Sequence, residues 1–235
     1  MQIILIIILL LASPSPSFAQ FDKLLNKLKP ITQTKLSDTN IAAGLKEALK
    51  VGINNAVKFT GKKDGYFGNE AIKIPIPPQL QKFEKGLRAV GVGPKLDEFV
   101  LSMNRAAEAS APLAEDIFIN SILDMSIDDA QKILKGGDTS ATDHFKAKTT
   151  QKLQEVFKPV INKKLAEFNV TKKYSDILNK YKTLPLSSKF PAPDISEYVT
   201  SKGLDGLFYV LGQEEKKIRT DPAARVTDML KQVFK

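Results

Sequence analysis

The sequence predicts an all-α fold: a single-domain multi-helix bundle over residues 20–235, crossed by two proline-rich extended straps. Three observations predict it. Apolar residues recur at three- and four-residue spacing through most of the chain, the period that gives a helix one buried face. Helix punctuation falls between these runs, with Asp or Ser ahead of them and Gly or Pro behind. The period-two pattern of strands occurs once, in a short stretch interrupted by prolines.

The elements follow in chain order. Ile3 to Leu11 is an unbroken apolar run, too short to span a bilayer. Ser13-Pro14-Ser15-Pro16 ends it, and Ser17-Phe18-Ala19 supplies small residues ahead of a cut before Gln20. Residues 1–19 are therefore expected to be a cleavable signal peptide, although only the terminal amine supplies positive charge before the run. No cysteine follows as a lipid attachment point, so the expected location is the periplasm, as a soluble protein and not a lipoprotein. Phe21, Leu24, Leu25 and Leu28 mark a first helix stopped by Pro30.

Ile41, Leu45, Leu49, Ile53 and Val57 then run at four-residue spacing between Asp38, an N-cap, and Gly61. After the first strap, Pro77-Pro78 opens a helix carrying Leu80, Phe83, Leu87 and Val90, closed by Gly91. Pro94 opens the next, which runs to Ser110 and resumes after Pro112 with Ile117, Phe118 and Ile122. Ser126 with Asp129 predicts a capping box for a short helix ending at Gly136-Gly137. The following helix starts near Thr139, buries Phe145, Leu153, Val156 and Phe157, and is expected to bend or break at Pro159. Val160–Phe168 and Thr171–Lys182 follow, and "TLPLSSKFPAPD", residues 183–194, is the second strap. Asp194 and Glu197 cap a helix bearing Leu204, Leu207, Phe208 and Leu211. Asp221-Pro222 opens the last, with Val226, Met229, Leu230, Val233 and Phe234 as its apolar stripe.

Charge and composition narrow the chemistry. The net charge of +9 is unevenly spread. Residues 20–95 carry +8, residues 96–131 carry −7, and residues 132–235 carry +8. An acidic middle between basic flanks neutralises itself within a fold as readily as it recruits a partner. No aromatic-interleaved basic motif points to nucleic acid. The chain has no cysteine, which excludes thiolate catalysis, thiol-ligated zinc and disulfides. Phosphate-binding, dinucleotide, zinc-protease and nucleophile-elbow motifs are absent.

His144 is the only histidine, flanked by Asp143 with Asp138 nearby. Consecutive residues on a helix point about 100° apart, so Asp143 and His144 diverge, and no metal site or cofactor is expected. "FVLSMNRAAEASAP" is apolar on nearly every side, leaving Asn104, Arg105 and Glu108 as polar exceptions inside a buried helix. Arg105 and Glu108 stand three apart and can pair. A buried charge needs a partner, either another helix or an anionic ligand. In the strap, Ile72, Ile74 and Ile76 alternate with Lys73, Pro75 and Pro77, beside Tyr66 and Phe67 in a glycine-flanked turn. The candidate ligand-binding set is therefore Arg105, Glu108 and Asn104 from the helix, with Tyr66, Phe67 and Lys73 from the strap, Tyr66 and Phe67 walling the cavity that holds Arg105.

The segments "GLKEALKVG", "GYFGNEAIKIPIP", "FVLSMNRAAEASAP", "LKGGDTSATDHF", "GLDGLF" and "EEKKIRTDPAARVTDMLKQVF" together resemble the bacterial family catalogued as domain of unknown function 4197, over residues 38–235. The resemblance implies an exported, mostly helical envelope protein of Gram-negative bacteria. It supplies no activity and no catalytic residues.

The leading expectation is a periplasmic, non-enzymatic module that binds an anionic small molecule or an envelope component. The alternatives are a hydrolase or lyase built from carboxylates and Arg105, and a protein held weakly at an anionic membrane by Lys216, Lys217, Arg219 and Arg225. Glu214, Glu215, Asp221 and Asp228 interleave with those bases, which reads most simply as a solvated face.

Overall fold

A computed structural model describes residues 38–184, 193–225, 227 and 231. The expected signal peptide, the helix at 21–28, most of the 183–194 strap and the stripe from Val226 to Phe234 lie outside the described residues. Those residues form helices joined by turns, with no strand among them.

Helix α1 spans Asp38–Gly61 and buries Leu45, Leu49, Ile53 and Val57 on the stripe expected of it. The helix expected after Pro77 is two pieces, α2 (Pro78–Gln81) and α3 (Glu84–Ala89). Leu80 and Leu87 are buried, but Val90 is 55 % exposed. The piece ends at Gly91, whose φ of +82° suits glycine. Helix α4 (Gly93–Ser110) continues through a 3-10 turn at Ala111–Leu113 into α5 (Ala114–Leu123).

Helix α6 (Ile127–Lys135) begins with the reciprocal Ser126–Asp129 capping box and ends at Gly136. Helix α7 is continuous from Ser140 to Glu167 and carries Pro159 inside it, so the expected break is absent. Pro159 is exposed, whereas Leu153, Phe157, Ile161 and Leu165 are buried around it. The carbonyl deprived of its N–H partner thus lies on the solvent side, while the buried stripe holds the helix together on the other. Val156, expected in the core, is 38 % exposed. Helix α8 (Val170–Tyr181) and α9 (Ile195–Thr220) follow, and Asp194 caps α9 by accepting from the Ser196 and Glu197 amides.

Helix α9 organises the packing, lying against α7, α1 and α4. Phe118 of α5 meets Phe208 of α9 edge-on at 5.6 Å and Phe145 of α7 at 6.1 Å, within the range of favourable aromatic contact. Between α1 and α2, residues 62–77 make a series of turns and then an irregular run across α4 and α9. Gly65 makes the first turn possible, because a Cβ there would lie 2.3 Å from the Phe59 carbonyl oxygen. Ile72, Ile74 and Ile76 are all buried, and Tyr66 reaches α9 at Gly206, where a Cβ would stand 2.6 Å from its ring.

Candidate functional site

The three polar exceptions of α4 all face the 62–77 segment. Asn104 is fully buried; its Oδ1 accepts from the Ile74 amide at 2.8 Å and its Nδ2 donates to the Ile74 carbonyl at 2.9 Å. One side-chain amide thus satisfies both backbone groups of a buried residue that lies outside any helix. Glu108 Oε1 accepts from the consecutive amides of Tyr66 and Phe67, each at 3.1 Å. Its Oε2 accepts from Arg105 Nη1 at 2.6 Å. Arg105 Nη2 in turn donates to Asp64 Oδ1 at 2.7 Å, and Asp64 holds a left-handed backbone, φ +62°, in the same turn.

The electrostatics are those of a closed network. Burial works against the charged form of Arg105, and the hydrogen bonds to Glu108 and Asp64 outweigh it and raise its pKa. Tyr66 is fully buried; burial first, then the Glu108 charge, keep its phenol protonated far above the ordinary range. Its hydroxyl donates to the Gly203 carbonyl of α9 at 2.6 Å. Arg105 and Tyr66 therefore lie on the same side of the bundle, joined through Glu108, with the tyrosine ring packed on Gly206 inside the core.

Phe67 and Lys73 face outward from this network. Lys73 Nζ lies 4.9 Å and Arg105 Cζ 5.8 Å from the centre of the Phe67 ring, both within cation–π range. Beside them runs an open groove of about 610 Å³, floored by Phe67, Pro75, Ile76 and Val100. Ion pairs form its rims: Lys73 with Glu70 at 3.0 Å, and Arg88 with Glu84 and Asp97 at 2.9 and 2.7 Å. The Arg88 hydrogen bonds to Asp97 and Glu84 raise its pKa, and the same Arg88 bond lowers that of Asp97.

A second buried carboxylate escaped the sequence reading. Glu215 of α9 is 5 % exposed. Its Oε1 accepts from the Ala141 amide at 2.9 Å, and its Oε2 from the Thr142 amide and hydroxyl at 2.8 Å each. Arg219 Nε and Nη2 close on Oε1 at 3.0 and 2.9 Å, and Nη2 also donates to the Ile133 carbonyl. The expected solvated face is thus partly core, because the first turn of α7 offers its open amides to Glu215. Arg225 donates to the Ile218 and Arg219 carbonyls, and Lys216 Nζ stands 3.4 Å from Asp138. A pattern of alternating signs gave no cue to this, since the partner amides lie some seventy residues away.

Asp143 accepts from the Thr139 hydroxyl, away from His144. Among the described residues no group of three or more His, Asp or Glu side chains could hold a metal ion, and no helix is long and apolar enough to cross a membrane.

No curated protein and no solved structure matches this chain. The family described as "Protein of unknown function (DUF4197)" matches residues 35–235, a span that takes in α4, the 62–77 segment, α9 and both buried carboxylates. On that match the chain belongs to this family of proteins of unknown function.

Proposed function

We propose that this protein is a non-enzymatic binding module of the periplasm, and that it takes an extended segment of an envelope partner in the groove beside Phe67. The observation that carries the reading is the groove itself. It has an apolar floor of Phe67, Pro75, Ile76 and Val100 between two rims of ion pairs, the composition of a peptide-sized interface with a dry centre and polar edges. In this reading Phe67 and Lys73 meet the partner, while Asn104, Arg105, Glu108 and Tyr66 fix the segment that carries them. Such fixing supports binding because less ordering is left to occur on association.

Arg105 is already engaged by two carboxylates, which favours a partner held by shape and apolar contact over an anion seated on the guanidinium. Export is supported by the apolar run Ile3–Leu11 and the small residues before Gln20.

The test is crosslinking of the full chain in the exported fraction, comparing native protein with Phe67→Ala. The expected result is a discrete crosslinked species that the variant loses while its thermal midpoint stays unchanged. Identical crosslinked species from both proteins would remove the groove from the proposal.

A further inference from the structure

Away from the groove, a second hollow of about 240 Å³ lies between α5, the start of α6 and α7, far larger than a single-water void. Its two walls carry opposite charge. On α7, His144, Lys148 and Lys152 follow one another at four-residue spacing and so share one face. Across from them stand Asn120 of α5, Asp124 just after its last turn and Asp129 of α6. Buried Ile117 and Met125 form an apolar floor.

The charged groups of this hollow stand apart from one another, whereas Lys95 closes on Asp176 and Lys158 on Glu197 elsewhere on the surface. In this hollow none of His144, Lys148, Lys152, Asn120 and Asp124 makes a side-chain hydrogen bond or ion pair among the described residues. Asp129 spends one oxygen, Oδ2, on Ser126. Its carboxyl is held below the ordinary range, first by the Ser126 hydrogen bonds and further by the His144 and Lys148 charges. His144 and Lys148 line the same hollow as Asp129 without closing on it. Two charged walls facing each other across a gap match a molecule that carries both charges itself.

We infer that this hollow binds a small zwitterion, an α-amino acid, with its carboxylate on the His144–Lys148–Lys152 wall and its ammonium on Asp124 and Asp129. Asn120 donates to the carboxylate from the opposite wall, and the ligand's side chain lies on Ile117 and Met125. The alternatives use only half of the site. A simple anion would leave Asp124 and Asp129 facing it, and a simple cation would leave two lysines doing so, each a like-charge contact. This inference is independent of the Phe67 groove.

The chain's only histidine makes the test direct, because the carbon-bound protons of one imidazole give a unique NMR signal inside the hollow. The full chain is titrated with each of the standard amino acids, with sodium chloride matched for ionic strength. At least one amino acid is expected to shift the His144 signal saturably. Its analogues lacking the amine or lacking the carboxylate should each bind about tenfold or more weakly, the loss of roughly one charge-assisted hydrogen bond. Lys148→Gln/Lys152→Gln protein, altered only at exposed positions, should lose the same factor. The inference is overturned if no amino acid acts beyond chloride, if the amine-free analogue binds as tightly as its parent, or if the double variant binds unchanged.

Discussion

Glu108 and Glu215 occupy chemically equivalent settings. Each is a buried carboxylate that accepts from two consecutive backbone amides and is paired with an arginine on its own helix, Arg105 three residues before and Arg219 four residues after. Each ties a helix to a distant segment, Glu108 to the turn at Tyr66 and Glu215 to the first turn of α7. The charge is tolerated inside because hydrogen bonds replace the lost water.

The arrangement makes the carboxylate, not the arginine, the centre of each network. Glu108→Ala leaves the Tyr66 and Phe67 amides open and Arg105 with only Asp64, and should cost about 3–5 kcal/mol, the scale of breaking a buried pair. Arg105→Met leaves Glu108 its two amides and should cost about 1.5–3 kcal/mol. Glu215→Ala should resemble Glu108→Ala. Urea unfolding of the variants measures all three, and an Arg105→Met loss equal to that of Glu108→Ala would contradict this ordering.

Much of the architecture was legible because its causes are local. The Ser126–Asp129 box, the Asp194 cap and the four-residue stripe of α1 each depend on residues within a few positions of one another. The polar exceptions of α4 stood out for the same reason, and Arg105–Glu108 is a local pair. What escaped was set by distant partners. Asn104 finds Ile74, Arg105 finds Asp64, and Glu215 finds Ala141 and Thr142, and no spacing rule connects such positions. At Pro159, where a bend or a break was expected, the helix does not break, because burial of Phe157 and Ile161 outweighs the break signal.

Gly203 and Gly206 lie one turn apart on α9 and should respond oppositely to alanine. A Cβ at Gly203 would meet Ala107 at an ordinary 3.7 Å, while one at Gly206 would stand 2.6 Å from the Tyr66 ring and 3.1 Å from Ile72. Gly203→Ala gains helix propensity and should raise stability by about 0.5–1 kcal/mol. Gly206→Ala gains the same propensity but overpacks a fully buried ring, for a loss of about 1–3 kcal/mol. Thermal and urea unfolding would show the sign directly, and two substitutions of equal sign would refute the close approach of Tyr66 to α9.

Alkaline pH should destabilise the protein through its tyrosines. Burial raises Tyr174 to about 12, with the Asp194 charge and Tyr181 adding to it, and burial raises Tyr198 to about 12. Tyr66 is pushed higher still by burial and Glu108. All three hydroxyls donate to carbonyls, Tyr66 to Gly203, Tyr174 to Pro193 and Tyr198 to Pro75, and only the protonated phenol can do so. A folded pKa above the unfolded value of roughly 10 means the folded state holds its protons more tightly. The resulting stability is complete below about pH 10 and is lost as pH rises from there through the folded values. Urea midpoints measured between neutral pH and about pH 11 should therefore fall at the alkaline end. The fall should be shallower in Tyr198→Phe, which loses the Pro75 hydrogen bond at every pH but has no proton to release. An unchanged slope in that variant would mean that Tyr198 ionises as freely in the folded chain as in the unfolded one.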